Sequence, residues 1–398
     1  MRIQRLQLTN YRNFPRLDIE LPVGLAVFVG DNAQGKSNLL ESIYLLATMR
    51  ALRAEVDAQL ISQDSLKDDV LPVARVVAEA ETSGESFRVE VIVAARPGAN
   101  GPIATKTVKI NGVAKRLSDA VGRVTAVLFT ADDLDLITGS PSGRRRYLDI
   151  MLAQVDREYA VARSRYERVL DQRNHLLKRI REGEARAEEL GFWDEELCRT
   201  GAVVLQRRAV ELAEVRELAS GFHRSLAPDD TLEVEYIPRL DRVPEGLAEM
   251  PAEDAAGEFS ASLGRGLSRD IAAGMTLQGP HRDDVSLSLN GASASGFASR
   301  AQQRTIALAL RLAEARLLEM RRGEPPVLLL DDILSEMDAG RREAVLSSLS
   351  GVEQILVTGT DLDRFPESSA APTAVYRVVA GEVRASATGP AAGGRADS

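Results

Sequence analysis

The sequence predicts an α/β fold, a mixed sheet with helices, split along the chain by an inserted α-helical lobe. Three features predict it. An apolar run, Leu25-Ala-Val-Phe-Val29, leads through a glycine-bounded loop into a helix-like segment at 36–49. A second apolar run, Val327-Leu-Leu-Leu330, ends in Asp331-Asp332, and Asp331 lies 294 residues beyond Ser37. Between them, residues 140–182 repeat apolar side chains at steps of four and three, the period of a helix packed along another helix. Strands that are apolar throughout are buried on both faces, as in the centre of an α/β sheet.

The elements follow in order. Ile3-Leu6-Leu8 and Leu17-Ile19-Leu21 have partial period-two spacing and read as strands. Segments 73–79 and 87–94 read as further strands. Asn111-Gly112, between Ile110 and Val113, is a hairpin-turn signal. Segment 125–129 is another buried strand. Ser140-Pro141 can cap a helix and Gly183 can stop it. A single helix from Pro141 to Glu182 would be about 60 Å long at 1.5 Å per residue. Only Arg173 breaks its apolar seam. A returning helix at 193–222 would complete a short antiparallel arm, or a helical hairpin buried in a globular lobe. Residues 228–260, with four prolines and ten acids, read as a solvated connection holding one strand at 232–237. A strand pair around Asn290-Gly291, a helix at 300–322, the strand at 327–330, a helix at 339–349, a strand at 355–358 and a hairpin near Gly381 close the chain. The Ala/Gly/Ser-rich tail from Ala385 reads as disordered.

Composition sets the frame. At about 150 residues per domain, 398 residues imply two to three domains. Hydrophobic residues at 44% and charged residues at 27% suit a globular core. One cysteine, Cys198, excludes an internal disulfide, and three scattered histidines argue against a zinc enzyme. The first residues carry no apolar signal core, and no run approaches a membrane span, so the expected location is cytoplasmic.

Gly30-Asp-Asn-Ala-Gln-Gly-Lys-Ser37 matches G-x-x-x-x-G-K-S in its required context, after a strand and opening a helix. Glycines let backbone N–H groups point at phosphate oxygens, and the helix start adds a favourable field. Lys36 is then expected on the β- and γ-phosphates and Ser37 on Mg²⁺. A second acidic group must help hold the metal. Asp331, at the carboxyl end of its strand, is the metal-side candidate, and Asp332 could activate water. The bland alternatives are a Gly-rich turn and a helix cap.

Five motifs in order carry a family resemblance: Leu6-Gln-Leu-Thr-Asn-Tyr-Arg-Asn-Phe14, Gly30–Asn38, Gly139-Ser-Pro-Ser-Gly-Arg-Arg-Arg-Tyr-Leu-Asp149, Gly279-Pro-His-Arg-Asp-Asp284 and Leu330-Asp-Asp-Ile-Leu-Ser-Glu-Met-Asp338. The chain thereby resembles the SMC/ABC-type DNA-repair ATPases, and among them the RecF family, over its whole length apart from the tail. The resemblance implies an ABC-type P-loop ATPase head split by a helical lobe with a short arm. Residues 1–135 and 276–384 would form the head, 136–275 the lobe and 385–398 the tail. It implies ATP and Mg²⁺ as cofactors. Lys36, Asp331 and Asp332 would be catalytic, with Ser37 and Asp331 on the metal. Gly30, Asp31, Asn32, Ala33, Gln34, Gly35, Lys36, Ser37 and Asn38 would bind nucleotide. Ser299 and Gln302, in the signature-like segment 298–304, would cap the nucleotide of a second copy. Ala301 stands where the family usually has glycine. Residues 335–338 match a D-loop, Arg53 a family arginine, and Gln59 or Gln63 a Gln-loop. Thr358 or Thr360 would sense the γ-phosphate near Gly359-Thr-Asp361. Asp332 replaces the longer Glu of many ABC ATPases, which implies slow hydrolysis. Implied partners are single-stranded or gapped DNA, a second copy in an ATP-dependent homodimer, and RecR-, RecO- and RecA-type recombination proteins, in recombinational repair, replication and the SOS response. The competing reading is an ABC-type head of a transport or signalling complex without DNA.

The net charge of −9 alone argues against a polybasic binder. The charge is uneven, however. Residues 140–182 hold eleven cations against six acids, and 101–125 hold five against one. Phosphate contacts need local cations, not a positive total. With aromatics at 4%, few stacking platforms are expected, and binding to backbone and shape follows.

Overall fold

The computed structural model describes residues 1–98, 101–337, 339–349, 351–360 and 371–386. They form two compact units. One comprises Met1–Asp132 with the described residues from Leu318 onward, and the other comprises 133–317.

The first unit contains two six-stranded sheets. One is antiparallel and local in sequence: Phe14–Glu20, Arg2–Tyr11, Val73–Glu81, Ser86–Arg96, Ile103–Ile110 and Val113–Lys115, in that spatial order. Its last hairpin turns at Asn111-Gly112, both with positive φ, as the pair predicts. The other sheet joins the two ends of the chain. Its order is Glu382–Ala385, Ala374–Val379, Gly24–Val29, Gln354–Gly359, Val327–Asp331, Ala126–Phe129. All pairs are parallel except the terminal hairpin. Val327–Asp331 and Gln354–Gly359 are almost wholly buried, which is why they read as unbroken apolar runs.

The second unit is mainly helical, with a three-stranded sheet of Ala292–Ser293, Asp284–Leu289 and Leu232–Ile237. Four expectations change here. The helix expected over 141–182 is two helices, Pro141–Val155 and Arg157–Arg181. Asp156 leaves helical geometry, and its carboxylate accepts the Tyr159 N–H at 3.0 Å, capping the second helix. The returning helix is longer than read, Gly191–Leu226. The pair is not a bare arm, because a third helix, Ala252–Ala273, packs on both. That helix occupies the end of the segment read as solvated connection. Finally, residues 276–317 pack with this unit, whereas the sequence boundaries placed them in the head.

Arg173, the break in the predicted seam, is fully buried. Its guanidinium donates to Asp194 at 2.6 Å and to Asp270 and Thr276 at 2.8 Å each. The seam therefore closes around an ion pair instead of an apolar contact. No helix of the described residues is long and apolar enough to cross a membrane. Residues 387–398, most of the predicted tail, lie outside the described residues.

Candidate functional site

The phosphate-binding loop sits between the strand Gly24–Val29 and the helix Lys36–Thr48. Gly35 caps that helix at φ 112°, and a β-carbon there would lie 2.4 Å from Asn13 Nδ2. Only glycine permits this close approach. Asn13 braces the loop from the outside. Its Nδ2 donates to the Gln34 carbonyl at 2.9 Å, and its Oδ1 accepts from Asn38 Nδ2 at 2.8 Å. Gln34 is also held by the terminal hairpin, through the Ala380 and Gly381 N–H groups. Lys36 is buried, and its Nζ donates to the Gly30 carbonyl at 2.5 Å and the Asp31 carbonyl at 2.8 Å. The ammonium is thus held across the loop that its own backbone forms.

The acidic side comes from the far end of the chain. Asp331 ends its buried strand and accepts the Ser37 hydroxyl at 2.8 Å and the Thr358 hydroxyl at 2.9 Å on Oδ1. Its Oδ2 meets Arg53 Nη2 at 3.2 Å. Arg53 also pairs with Glu41 at 3.2 Å and Asp132 at 3.4 Å. Glu41 lies on the P-loop helix, buried between Arg53 and Arg12. Burial raises its pKa above the ordinary glutamate value, and the two arginines offset only part of that. Asp332 has a left-handed backbone at φ 54°, and its N–H donates to Thr358 Oγ1 at 2.9 Å. Thr358 therefore ties both aspartates to the neighbouring strand.

The structure brings together Gly30–Asn38 with Asp331, Asp332 and Thr358 in the first unit. Ser299 and Gln302 belong to the second unit, where they form a reciprocal cap on the helix Arg300–Arg322. The Ser299 N–H donates to Gln302 Oε1 at 2.9 Å, and the Gln302 N–H donates to Ser299 Oγ at 3.3 Å. Gln302 Nε2 also donates to Asp230 at 3.1 Å. Ala301 is exposed. Of the Gln-loop candidates, Gln63 is exposed, and Gln59 accepts the Glu55 N–H at 2.9 Å. Thr360 is half-buried, while Asp361 and Asp338 lie outside the described residues. Asn13, Glu41 and Arg12 were missed as site residues. Asn13 and Arg12 stood in the quoted opening motif, and that position was their one available signal. Glu41 gave none, because an acid on an amphipathic helix reads as solvated.

Two further motifs meet in the second unit. Asp149, Asp283 and Asp284 gather around Arg208 and Arg144. Arg208 is 3% exposed, and its guanidinium donates to Asp149 at 2.7 Å, the Pro280 carbonyl at 2.7 Å, Asp283 at 3.0 Å and Tyr159 Oη at 3.1 Å. Tyr159 and Tyr236 donate their hydroxyls to Asp149 and Asp283. Arg163 adds a second pair to Asp149 at 2.7 Å, and Arg144 grips Asp284 with two hydrogen bonds. Burial alone would raise the Asp149 pKa, but Arg208 and Arg163 outweigh it and hold it below the usual range. Asp283, also buried, is pushed up.

The family model described as the RecF/RecN/SMC N terminal domain matches residues 2–382. The DNA replication and repair protein RecF of Herpetosiphon aurantiacus is 42% identical over 375 residues, covering 92% of this chain and 94% of that protein. The protein of the same name from Chloroflexus aurantiacus is 39% identical over 393 residues, covering 96% and 99%. Among solved structures, the recombination mediator protein RecF-ATP in the RecFOR pathway superposes with a TM-score of 0.84 at 30% identity, covering 97% of each chain. An Smc head domain with a coiled coil and joint from Pyrococcus yayanosii matches at a TM-score of 0.51 and 14% identity over 96% of each chain, a likeness of fold alone. Given a model match from residue 2 to residue 382 and relatives aligned nearly end to end, this chain belongs to the RecF family.

Proposed function

We propose that the chain is an ATP-binding recombination mediator in DNA repair and replication, acting on DNA in the cytoplasm as an ATP-dependent homodimer. The observation that carries this is the 2.8 Å hydrogen bond between Ser37 and Asp331. It joins the phosphate loop to the acidic strand across the inserted unit, the arrangement that P-loop ATPases use for Mg²⁺ and phosphate. The donor set fits that ion. Mg²⁺ takes one or two protein oxygens beside phosphates and waters, and a hydroxyl beside a carboxylate provides two hard oxygens. When bound, Mg²⁺ would neutralise charge on the β- and γ-phosphates.

The protein's own groups do the rest. Backbone N–H groups of 31–38 and the Lys36 ammonium bind the phosphates. Asp332, fixed through Thr358, orients water. Its short side chain supports slow hydrolysis, suited to a timed clamp. Ser299 and the start of its helix cap the nucleotide of the second copy, and hydrolysis releases the pair. RecR-, RecO- and RecA-type proteins are the partners that membership supports.

The test is sedimentation with and without ATP, paired with retention of gapped DNA at two salt concentrations. ATP should shift monomer to dimer and raise DNA retention, with strong salt sensitivity. A monomer under all conditions, with DNA binding indifferent to ATP, would sink the reading.

A further inference from the structure

Low aromatic content leads one to expect few stacking platforms, and the second unit presents one. Phe192 is 65% exposed and packs edge-on against Trp193, with ring centroids 5.1 Å apart. Trp193 is half-buried against Leu176, Leu177 and Leu190, so its ring is held firmly. Beside it opens a groove of about 520 Å³, lined by Arg165, Arg168, Val169, Asp171, Gln172 and Trp193. Arg168 is exposed, bonds the Ser164 carbonyl at 3.3 Å, and makes no ion pair among the described residues. His175, Lys178 and Arg179 continue the same exposed helix face at helical spacing.

Acids are present too. Asp171 lines the groove, Glu196 takes Arg165 at 2.5 Å, and Arg173 takes Asp194. Residues 157–199 hold ten cations and ten acids, so total charge attracts nothing. What remains is Arg168 and Lys178, with Arg179 in a long pair to Glu184 at 3.9 Å, beside the exposed Phe192 and the half-buried Trp193.

We propose that this groove is a single-stranded nucleic-acid subsite. One base stacks on the exposed Phe192 ring beside the Trp193 that lines the groove, and the backbone runs along Arg168 toward Lys178 and Arg179. Aromatic faces with neighbouring cations bind single strands in this way without reading sequence. Bases within a duplex are already stacked and cannot reach the rings. The inference rests on the DNA-binding reading above and adds a contact that needs no nucleotide.

Trp193 is the only tryptophan in the chain, so its fluorescence reports the groove directly. The full chain is titrated with an oligothymidine of about ten nucleotides, without ATP and at low salt. Quenching is expected, weaker at high salt, and much smaller with a duplex of equal length. Phe192→Ala and Arg168→Ala, both at exposed positions, should each weaken binding about tenfold by the anisotropy of a labelled strand. Lys36→Ala should leave the quenching intact. Absence of quenching, equal quenching by duplex, or parental affinity in both variants would overturn the proposal. If quenching fails while ATP-dependent retention of DNA persists, only the subsite falls. If quenching persists while ATP-dependent retention fails, the functional reading falls and the subsite stands.

Discussion

Each unit buries a cluster of carboxylates and arginines, and the two clusters differ in closure. Around Arg208 the guanidinium and both its carboxylates are buried, and internal partners surround them. Around Asp331 the partners are two hydroxyls and Arg53, whose side chain is 40% exposed. The first arrangement is complete in itself. The second leaves a charged group at the surface beside a loop of backbone donors. Both clusters stand on motifs that look alike in sequence. Closure separates a scaffold from a binding site, and closure is a property of the folded chain.

The comparison breaks most readily at Arg208. Arg208→Ala should destabilise the second unit by about 3–5 kcal/mol, because it leaves Asp283 buried without its cation and Asp149 with Arg163 alone. Denaturant unfolding checks this, and a loss below about 1 kcal/mol would mean the cluster is not closed. Lys36→Ala should do the reverse, with little change in stability. Loss of a charged hydrogen-bonding group should cost about 1.5–3 kcal/mol in ATP affinity, measured by calorimetry. Asn13→Ala should be milder. Removing the brace on Gln34 and Asn38 should weaken ATP binding by about 1 kcal/mol while Lys36 remains in place.

The smallest expected effect is in pH dependence, and it has opposite sign at Asp149 and at Glu41. Asp149 has a lowered folded pKa, so its contribution is present above the ordinary aspartate value and is lost as pH falls through the folded value. Glu41 has a raised folded pKa, so it takes up its proton first, at a pH above the ordinary glutamate value. Its ionised form is a cost at neutral pH that protonation relieves. Carboxyl carbon shifts followed by NMR should show Glu41 titrating before Asp149 during acidification. The reverse order would contradict the burial argument.

Much of this was legible in the sequence. The P-loop, the strand leading to Asp331, the Asn-Gly hairpins and the helix at 300–322 are local signals, and local physics fixes them. What stayed hidden depends on tertiary partners. The helix Ala252–Ala273 holds three glycines and three serines, which weaken its propensity and conceal it. One of those glycines lets a neighbour approach: a β-carbon on Gly266 would meet Gln278 at 2.7 Å. The break at Asp156 is a capping choice that a heptad pattern does not register. Glu41 joins the site only because Arg12 and Arg53 arrive from elsewhere.

The central sheet has a consequence for synthesis. The strand Gly24–Val29 finds both of its neighbours, Gln354–Gly359 and Ala374–Val379, near the opposite end of the chain. On a ribosome moving at about 5–20 residues per second, the earliest strand waits roughly 15–65 s for its first partner. Through that interval the phosphate loop has no sheet to hold it. A prematurely terminated product would carry the entire P-loop motif and still present no nucleotide site. Competence is thereby tied to translation past the strand Ala374–Val379.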